Sequence, residues 1–258
     1  MTENQIKNGP FKEYYEDGRL KEVGTIKNGD KEGAFSYFEY TDFVEAEQVD
    51  SEYLTINIAA VPAQEICTKG YYRKGLAEGT YQVFVNSVLS ERGAYANGLG
   101  QGLFERFWLV GKRRFFLFPR KRAVGNYRKG RTHGIVREYD LNGLLSKELT
   151  FEDGIPVGVH KEYSGGSLEK EIPYVGGQME GEVKTYFDDG TLRKKLTFSQ
   201  GKKNGPYEEY RDDWEFGYML EEKGFYRDDE NTGLLKTLFP VQWELLVGYY
   251  WDNQILWI

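Results

Sequence analysis

The sequence is poor in the residue types from which catalytic and metal sites are usually built. Its 258 residues include one cysteine, Cys67, and two histidines, His133 and His160. A single cysteine excludes an internal disulfide and any metal site made of several cysteines. Two histidines leave little material for a metal centre or a general base. We therefore expect no cofactor and no metal.

Strong helix formers and long apolar runs are also scarce. The chain has 9 alanines and 7 prolines against 31 glycines, a balance that disfavours helical bundles. No apolar run approaches the roughly 20 residues of a membrane-spanning helix. The first ten residues, MTENQIKNGP, lack the apolar core of a signal peptide, so a cytoplasmic location is expected.

Glycine and aromatic residues are what the sequence has in excess. There are 20 tyrosines and 16 phenylalanines, and aromatics make up 16% of the chain. The mean hydropathy is −0.64. Disordered chains are poor in aromatics, whereas strands joined by tight turns use both aromatics and glycine. The composition therefore indicates an all-β protein.

The chain contains an internal repeat of 23–24 residues. Residues 9–33, 134–158 and 181–205 share one frame, in which the first glycine is position 0. Residues 158–181 form the same unit with one residue fewer, and a further copy begins at Gly205. Self-similarity at a fixed period predicts a repeat architecture. The shared positions are tyrosine at +5 (Tyr14, Tyr139, Tyr186), glycine at +9 (Gly18, Gly143, Gly190), leucine at +11 (Leu20, Leu145, Leu192) and glycine at +20 and +24.

Each unit is predicted to be a β-hairpin. Positions +1 to +6 form one strand and +11 to +18 the other, and Leu192, Leu196 and Phe198 are expected to share the packed face. Successive units then pair into an elongated antiparallel meander. The dipeptides between the two strands favour a type I′ turn; they are Asp17-Gly18, Asn142-Gly143 and Asp189-Gly190.

The repeat array is predicted to cover residues 1–233. Irregular insertions interrupt it at about 34–69, 106–123 and 211–223. The apolar residues 234–258 are expected to form a C-terminal cap of the same domain, because the open end of a repeat array needs a cover. The tryptophans in this segment are equally compatible with a patch that binds a partner.

The repeat resembles a known family. The pattern G-x-[FVW]-x-x-Y-x-x-[DN]-G-x-L, followed by G-x-[YF]-x-x-G-[KR]-x-x-G, resembles the bacterial variant of the MORN repeat, and Gly130-Arg131-Thr132-His133-Gly134 looks like its joint. The resemblance covers about 9–33 and 70–210. Arrays of this variant are similar to YwqK-type antitoxins. The resemblance thus implies a non-catalytic antitoxin or immunity protein that occludes the active surface of a protein toxin.

Charge is distributed unevenly along the chain. The net charge is −7; residues 1–129 carry 19 basic and 17 acidic side chains, and residues 130–258 carry 15 and 24. Acidic side chains are concentrated in 39–65 and 206–233, where the repeat frame is broken. These stretches are either solvated faces or surfaces that meet a basic protein toxin. The predicted partner-binding residues are Glu45, Glu47, Asp50, Glu52, Asp212, Asp213, Trp214, Glu215 and Phe216.

A basic segment, 106–122, has seven cations and no carboxylate and is interleaved with aromatics. Such a segment suits nucleic acid, an anionic lipid surface, or a hairpin whose charges protect a sheet edge. The overall acidity argues against nucleic acid as the main partner. A membrane- or lipid-associated MORN scaffold remains the alternative function.

Candidate catalytic residues are few. His133 stands in a repeat joint, and His160 occupies position +2, where other units have Phe11 or Val136. We expect His160 to be a partly buried strand residue; a deep pocket that joins it to carboxylates would instead indicate an enzyme. The glutamates at +4 are expected to pair with cations across the strands. The protein is therefore not expected to be an enzyme.

Overall fold

The computed structural model describes residues 8–42, 47–50, 55–58, 63–108, 120–213, 217–241, 244–251 and 254–257. All regular structure among these residues is β-strand, which confirms the all-β prediction. The described part of the chain has no helix long and apolar enough to cross a bilayer.

The chain forms two compact units, residues 1–131 and 132–258, and the two-residue strand β13 (Arg131–Thr132) lies at the boundary. In the first unit each long strand pairs antiparallel with the next, except that β5 and β6 pair only with each other. Its strands are β1 Gly9–Tyr14, β2 Leu20–Lys27, β3 Asp30–Lys31, β4 Gly33–Thr41, β5 Glu47–Asp50, β6 Thr55–Ile58, β7 Gln64–Arg73, β8 Leu76–Val85, β9 Val88–Ala96, β10 Leu99–Gly100, β11 Gly102–Phe107 and β12 Lys121–Arg128.

The second unit is also an antiparallel meander, from β14 to the last strand. Its strands are β14 Gly134–Tyr139, β15 Leu145–Glu152, β16 Ile155–Pro156, β17 Gly158–Ser164, β18 Ser167–Val175, β19 Gln178–Met179, β20 Gly181–Tyr186, β21 Leu192–Ser199, β22 Lys202–Asp213, β23 Gly217–Arg227, β24 Glu230–Val241, β25 Glu244–Trp251 and β26 Gln254–Trp257.

The hairpin predicted for each repeat is present. In the three copies with the full frame, the second strand spans +11 to +18 as predicted, and the first spans 0 to +5. The shared tyrosine and leucine are cross-strand partners, as in Tyr14↔Leu20 and Tyr186↔Leu192. The repeated tyrosine at +5 and the repeated leucine at +11 therefore lie opposite each other on the two strands of the hairpin.

The type I′ turn predicted for the hairpin tips is wrong. At Asp17-Gly18 only the glycine has positive φ, 84°, whereas a type I′ turn needs two such residues. Gly18 N donates to Tyr15 O at 3.0 Å and Tyr15 N donates to Arg19 O at 2.9 Å. This is the pattern of a type I turn closed by a glycine bulge. The copies at 140–144 and 187–191 have the same two hydrogen bonds.

The type I′ geometry occurs at the joints between hairpins. Asn28 and Gly29 have φ of 52° and 87°, and the equivalent pairs at the other joints also have two positive values. The shorter unit, 158–181, uses a type I′ turn at its tip as well, at Gly165-Gly166. The missing residue removes the glycine bulge at the tip, and the two-residue loop that remains favours the primed turn.

The expectation that Leu192 shares a face with Leu196 and Phe198 is also wrong. A bulge lies opposite Thr185, so that Leu192 pairs with Tyr186. One extra residue in a strand moves the side chains beyond it to the other face. The repeated tyrosine and leucine therefore lie on the face opposite the buried row.

Among the described residues, the most regular buried position in each unit is +2 of the hairpin. In the first unit, Phe35, Tyr81 and Phe104 are buried, each opposite a glycine of the next strand. A second ring covers each of them, for example Tyr95 at 4.6 Å from Tyr81 between ring centres. An aromatic ring that covers a strand glycine shields the exposed backbone and fills the missing side-chain volume. The equivalents in the second unit are Val136, His160, Val183 and Tyr207.

Candidate functional site

The structure describes only part of the predicted partner-binding set. Asp212 and Asp213 are described with their side chains, and Glu47 and Asp50 are placed as the first and last residues of β5. Glu45, Glu52, Trp214, Glu215 and Phe216 lie outside the described residues.

Glu47 and Asp50 belong to a small separate hairpin. β5 pairs with β6, from Glu47↔Ile58 to Asp50↔Thr55, and neither strand pairs with the meander of the first unit. The hairpin is inserted between β4 and β7, which are themselves neighbours. An isolated two-stranded hairpin has marginal stability in water, so this acidic insertion gains from any surface on which it packs.

Asp212 and Asp213 lie near the tip of the hairpin formed by β22 and β23. They pair with Tyr218 and Gly217, respectively. Asp213 is 3.7 Å from the guanidinium of Arg211, from Oδ2 to a terminal nitrogen. Asp212 faces an open cleft between neighbouring hairpin tips.

We call this opening the Asp188 cleft; its volume is about 410 Å³. It lies entirely in the second unit, between the tips of three successive hairpins. One arginine, Arg193, lines it together with Ser164, Ser167 and Leu168. The remaining lining combines carboxylates with aromatic rings: Glu169, Asp188, Asp189 and Asp212, and Tyr186, Phe187 and Tyr218.

The contacts in the cleft join two hairpins. The Tyr218 hydroxyl donates a hydrogen bond to Asp189 Oδ2, and the Tyr218 and Phe187 ring centres are 5.0 Å apart. Asp189 Oδ1 accepts from Thr191 N at 2.9 Å and from Thr191 Oγ1 at 2.7 Å. The hydrogen bond from Tyr218 is the main reason that the pKa of Asp189 lies below its ordinary value, and it raises the pKa of Tyr218. Asp189 is therefore ionised at neutral pH.

Asp188, Asp189 and Tyr218 were missed as site residues by sequence reasoning. The sequence predicts Asp189 only as a turn residue beside Gly190, and Tyr218 is 29 positions from Asp189. The repeat frame did indicate Asp188 and Asp189 as candidates, because positions +7 and +8 lie at the hairpin tip, where side chains of adjacent copies meet. Only the lateral pairing of β21, β22 and β23 brings Tyr218 to that tip.

Charges on the strand faces, by contrast, are mostly paired, as expected for the glutamates at +4. Lys21 Nζ is 2.9 Å from a carboxylate oxygen of Glu13, and Lys194 Nζ is 2.7 Å from one of Glu209. Cross-strand pairs of this kind neutralise the faces on which they lie. Further pairs are Arg137–Glu148, Lys147–Glu162, Lys161–Glu171 and Lys195–Glu208.

The first unit has a cleft at the corresponding place of the repeat, which we call the Arg19 cleft, with a volume of about 830 Å³. It is lined by Tyr15, Asp17, Arg19 and Tyr40, among others. Arg19 Nε donates to Asp17 Oδ2 at 2.6 Å, and its guanidinium carbon lies 4.6 Å from the Tyr40 ring centre. Hairpin tips thus line a cleft in each unit, with Arg19 at position +10 in one and Arg193 at position +12 in the other.

A groove of about 780 Å³ lies across β4, β7, β8, β9 and β11 in the first unit. Its carboxylate, Glu105, is buried and is held by both Arg92 and Lys121. These cations lower the pKa of Glu105, with the hydrogen bond from Lys121 as the largest cause. The carboxylate in this groove is thus already neutralised from within the chain.

The histidines have structural positions. His160 is buried at 5% exposure, with Nε2 at 2.8 Å from Thr150 O and its ring beside Tyr174. This agrees with the expectation of a strand residue, and His160 lines neither cleft nor the groove. His133 Nδ1 accepts from Asp153 N at 3.4 Å across its joint. In the described part of the chain, no group of three histidine, cysteine or carboxylate side chains is arranged to hold a metal.

Comparison with known proteins agrees with the geometry of the repeat. No curated protein matches the chain. A family profile described as "MORN repeat variant" matches residues 7–28 and 179–200, which contain β1 with β2 and β20 with β21. The two matched segments carry the tips of the Arg19 cleft and the Asp188 cleft. The chain thus carries MORN repeat variants at two sites, and repeats of this type indicate a binding scaffold.

Proposed function

We propose that this protein is a bacterial antitoxin or immunity protein that neutralises a basic protein toxin by covering its active surface. The observation that supports the proposal is the Asp188 cleft. Among the described residues, Asp188 and Asp212 have no ion-pair partner, although carboxylates on the nearby strands have one. Surplus negative charge is thus concentrated at the hairpin tips of the second unit.

Electrostatics make such a surface selective for a basic partner. Complementary charge speeds association and rejects partners of like charge. A toxin that cleaves nucleic acid holds its substrate with cationic side chains, and a row of carboxylates is the complement of that surface. The acidic insertion with Glu47 and Asp50 offers a second contact of the same sign.

Growth rescue tests the proposal. A candidate toxin, chosen as a basic protein encoded near this one, is expressed in a bacterial host, with and without this protein. We expect the native chain to restore growth and to form a complex with the toxin in size-exclusion chromatography. Asp188→Lys and Asp212→Lys are each expected to reduce rescue, because each places a cation against the basic surface.

Glu152→Lys is the matched control. Glu152 is exposed, belongs to the same unit and lies outside the Asp188 cleft. Its replacement by lysine changes the net charge by the same amount as the two aspartate substitutions. We expect this variant to rescue as well as the native chain. The proposal is wrong if the native chain does not restore growth, or if all three variants rescue equally.

A further inference from the structure

The groove of the first unit is lined by two rows of side chains on one face of the sheet. Residues that pair across antiparallel strands point to the same face, so the register defines each row. The first row is polar and crosses five strands in the order Ser36, Lys69, Gln82, Arg92 and Glu105. The second row, two residues away along each strand, is mostly apolar and consists of Ala34, Tyr71, Thr80, Ala94 and Leu103. The groove is therefore amphipathic across its width.

The polar row carries surplus positive charge. Its carboxylate, Glu105, contacts Arg92 and lies 2.8 Å from Lys121 Nζ, so two cations share it. Lys69 Nζ lies 5.1 Å from the centre of the Phe84 ring, and in the described part of the chain no carboxylate pairs with it. A ligand that enters the groove thus meets more cationic than anionic side chains.

The second unit shows the same row with its charges alternating. Counted from the glycine before the hairpin, Gln82 stands three residues after Gly79, as Lys161 does after Gly158. In the second unit a carboxylate lies between two cations; the order across the strands is Arg137, Glu148, Lys161, Glu171 and Lys184. In the first unit it is the neutral Gln82 that lies between the cations Lys69 and Arg92. The position between these two cations therefore lacks the carboxylate that would balance them.

Arg92 is held in place by its own chain. Its Nε donates to Glu105 Oε2 at 2.5 Å, and a terminal nitrogen contacts the same oxygen. Its guanidinium carbon lies 5.6 Å from the centre of the Phe107 ring. A guanidinium has five N–H donors, and Glu105 occupies only one edge, so donors remain for a second carboxylate. Because Arg92 is already fixed, it loses less conformational entropy on binding than a free side chain does.

The apolar row offers a second contact beside the first. Tyr71 and Leu103 are large side chains, yet they are 54% and 56% exposed. Between their strands lie the small residues Thr80 and Ala94, which are cross-strand partners. An apolar side chain placed over this small pair would cover part of both exposed side chains. This position is two residues along the strand from Gln82, a distance of about 7 Å.

We propose that the groove binds an extended segment of a partner protein through one acidic and one apolar side chain, two positions apart in the partner. Side chains two positions apart in an extended chain point to the same side with the same spacing of about 7 Å. The carboxylate lies over Gln82, between Lys69 and Arg92, which are about 10 Å apart because their strands are two intervals apart. The apolar side chain packs on Thr80 and Ala94.

This inference does not rest on the proposed function. The groove belongs to the first unit and carries surplus cations, whereas the Asp188 cleft belongs to the second and carries surplus carboxylates. The two surfaces therefore select partner segments of opposite charge.

Peptide titration of the full-length, ¹⁵N-labelled protein tests the groove. The probe is N-acetyl-Gly-Leu-Ser-Glu-Gly-amide. One comparison peptide has glutamine in place of glutamate, and the other, N-acetyl-Gly-Ser-Leu-Glu-Gly-amide, has the same composition with leucine and glutamate adjacent. We expect the probe to shift amides within 69–71, 80–82 and 92–94. The glutamine peptide should bind about tenfold more weakly because it lacks the charge. The rearranged peptide should also bind more weakly, because its two side chains point to opposite sides.

Gln82→Glu is the sharpest variant, because it places a carboxylate of this chain between the two cations. We expect it to fold as the native chain does and to bind the probe about tenfold more weakly. Gln64→Glu is the matched control, since Gln64 is in β7 outside the groove and its replacement changes the net charge by the same amount. This control should bind the probe as the native chain does. If both variants lose binding, Lys69→Met decides, since undiminished binding by that variant overturns the proposal.

The outcomes also separate this inference from the antitoxin role. An absence of shifts with the probe at millimolar concentration overturns the groove as a binding site. Equal binding of the probe and either comparison peptide, or undiminished binding by Gln82→Glu, overturns the proposed mode of binding. None of these results changes the growth-rescue test, and failure of growth rescue leaves selective binding of the probe as support for the groove.

Discussion

The side chain at position +2 packs across the two strands of its own hairpin. In the first unit it is an aromatic ring over a glycine, as in Tyr81 over Gly93. A Cβ added to Gly93 would lie 2.7 Å from Tyr81 Cε1, closer than two carbon atoms pack. The Tyr81 hydroxyl also donates to Glu91 at 2.5 Å, so the ring has little freedom to move away. This contact explains part of the unusual glycine and tyrosine content.

Gly93→Ala is expected to destabilise the protein by about 1–3 kcal/mol, because the added methyl group overpacks the row at a fixed ring. Urea unfolding followed by circular dichroism measures the change in the free energy of unfolding. A double-mutant cycle with Tyr81→Leu should show a loss smaller than the sum of the two single losses. Additive losses would mean that the ring and the glycine do not restrict each other.

At the scale of the hairpin, loop length decides the turn type. The joints between hairpins have two residues of positive φ, and their first position is Asn28, Lys74 or Gly176 in different copies. Asparagine adopts this conformation more readily than other residues with a side chain. The second position is crowded at Gly177, where an added Cβ would lie 3.3 Å from Ile155 Cγ2 and φ is 87°.

Gly176→Asn and Gly177→Asn form a matched pair for this turn. Gly176→Asn is expected to be neutral or to stabilise the protein by about 0.4–1 kcal/mol, because it restricts the unfolded chain at a compatible φ. Gly177→Asn is expected to lower the melting temperature, since the new side chain meets Ile155. Differential scanning calorimetry compares the two, and equal melting temperatures would contradict the assigned turn.

The hairpins themselves were predictable, because Tyr14, Leu20 and their counterparts repeat in one frame. The turn types were not, because Asp-Gly is compatible both with a type I′ turn and with a type I turn closed by a glycine bulge. The choice depends on how many residues separate the last tyrosine–leucine pair: five between Tyr186 and Leu192, and four between Tyr163 and Leu168. The bulge opposite Thr185 explains why the face of Leu192 was predicted wrongly.

At the scale of the whole molecule, both units contain carboxylates whose pKa is lowered by neighbouring cations. In the first unit Glu105 is held by Lys121 and Arg92, and in the second Glu208 is held chiefly by Lys195. A lowered pKa in the folded state stabilises the protein above the ordinary glutamate pKa of about 4.3, and this stabilisation is lost as the pH falls through the folded value.

At low pH the native chain should therefore no longer be more stable than the Glu105→Gln and Glu208→Gln variants. Each variant is expected to be less stable than the native chain at pH 7, and the difference in the free energy of unfolding should shrink between pH 5 and pH 3. Urea unfolding at a series of pH values measures it, with the exposed Glu152→Gln as control. A difference that stays constant down to pH 3 would show that these ion pairs do not stabilise the fold.

The sequence by itself determined the β-hairpin repeat, its period and the role of His160, because all three depend on local spacing and on positions that recur along the chain. It also located the acidic stretch that contains Asp212. Only the tertiary structure decided which carboxylates remain unpaired, and that Asp188, Asp212 and Tyr218 line one cleft. The physical reason is that a hairpin tip is completed by its neighbours in the sheet, and no pattern within one repeat specifies the side chains that those neighbours contribute.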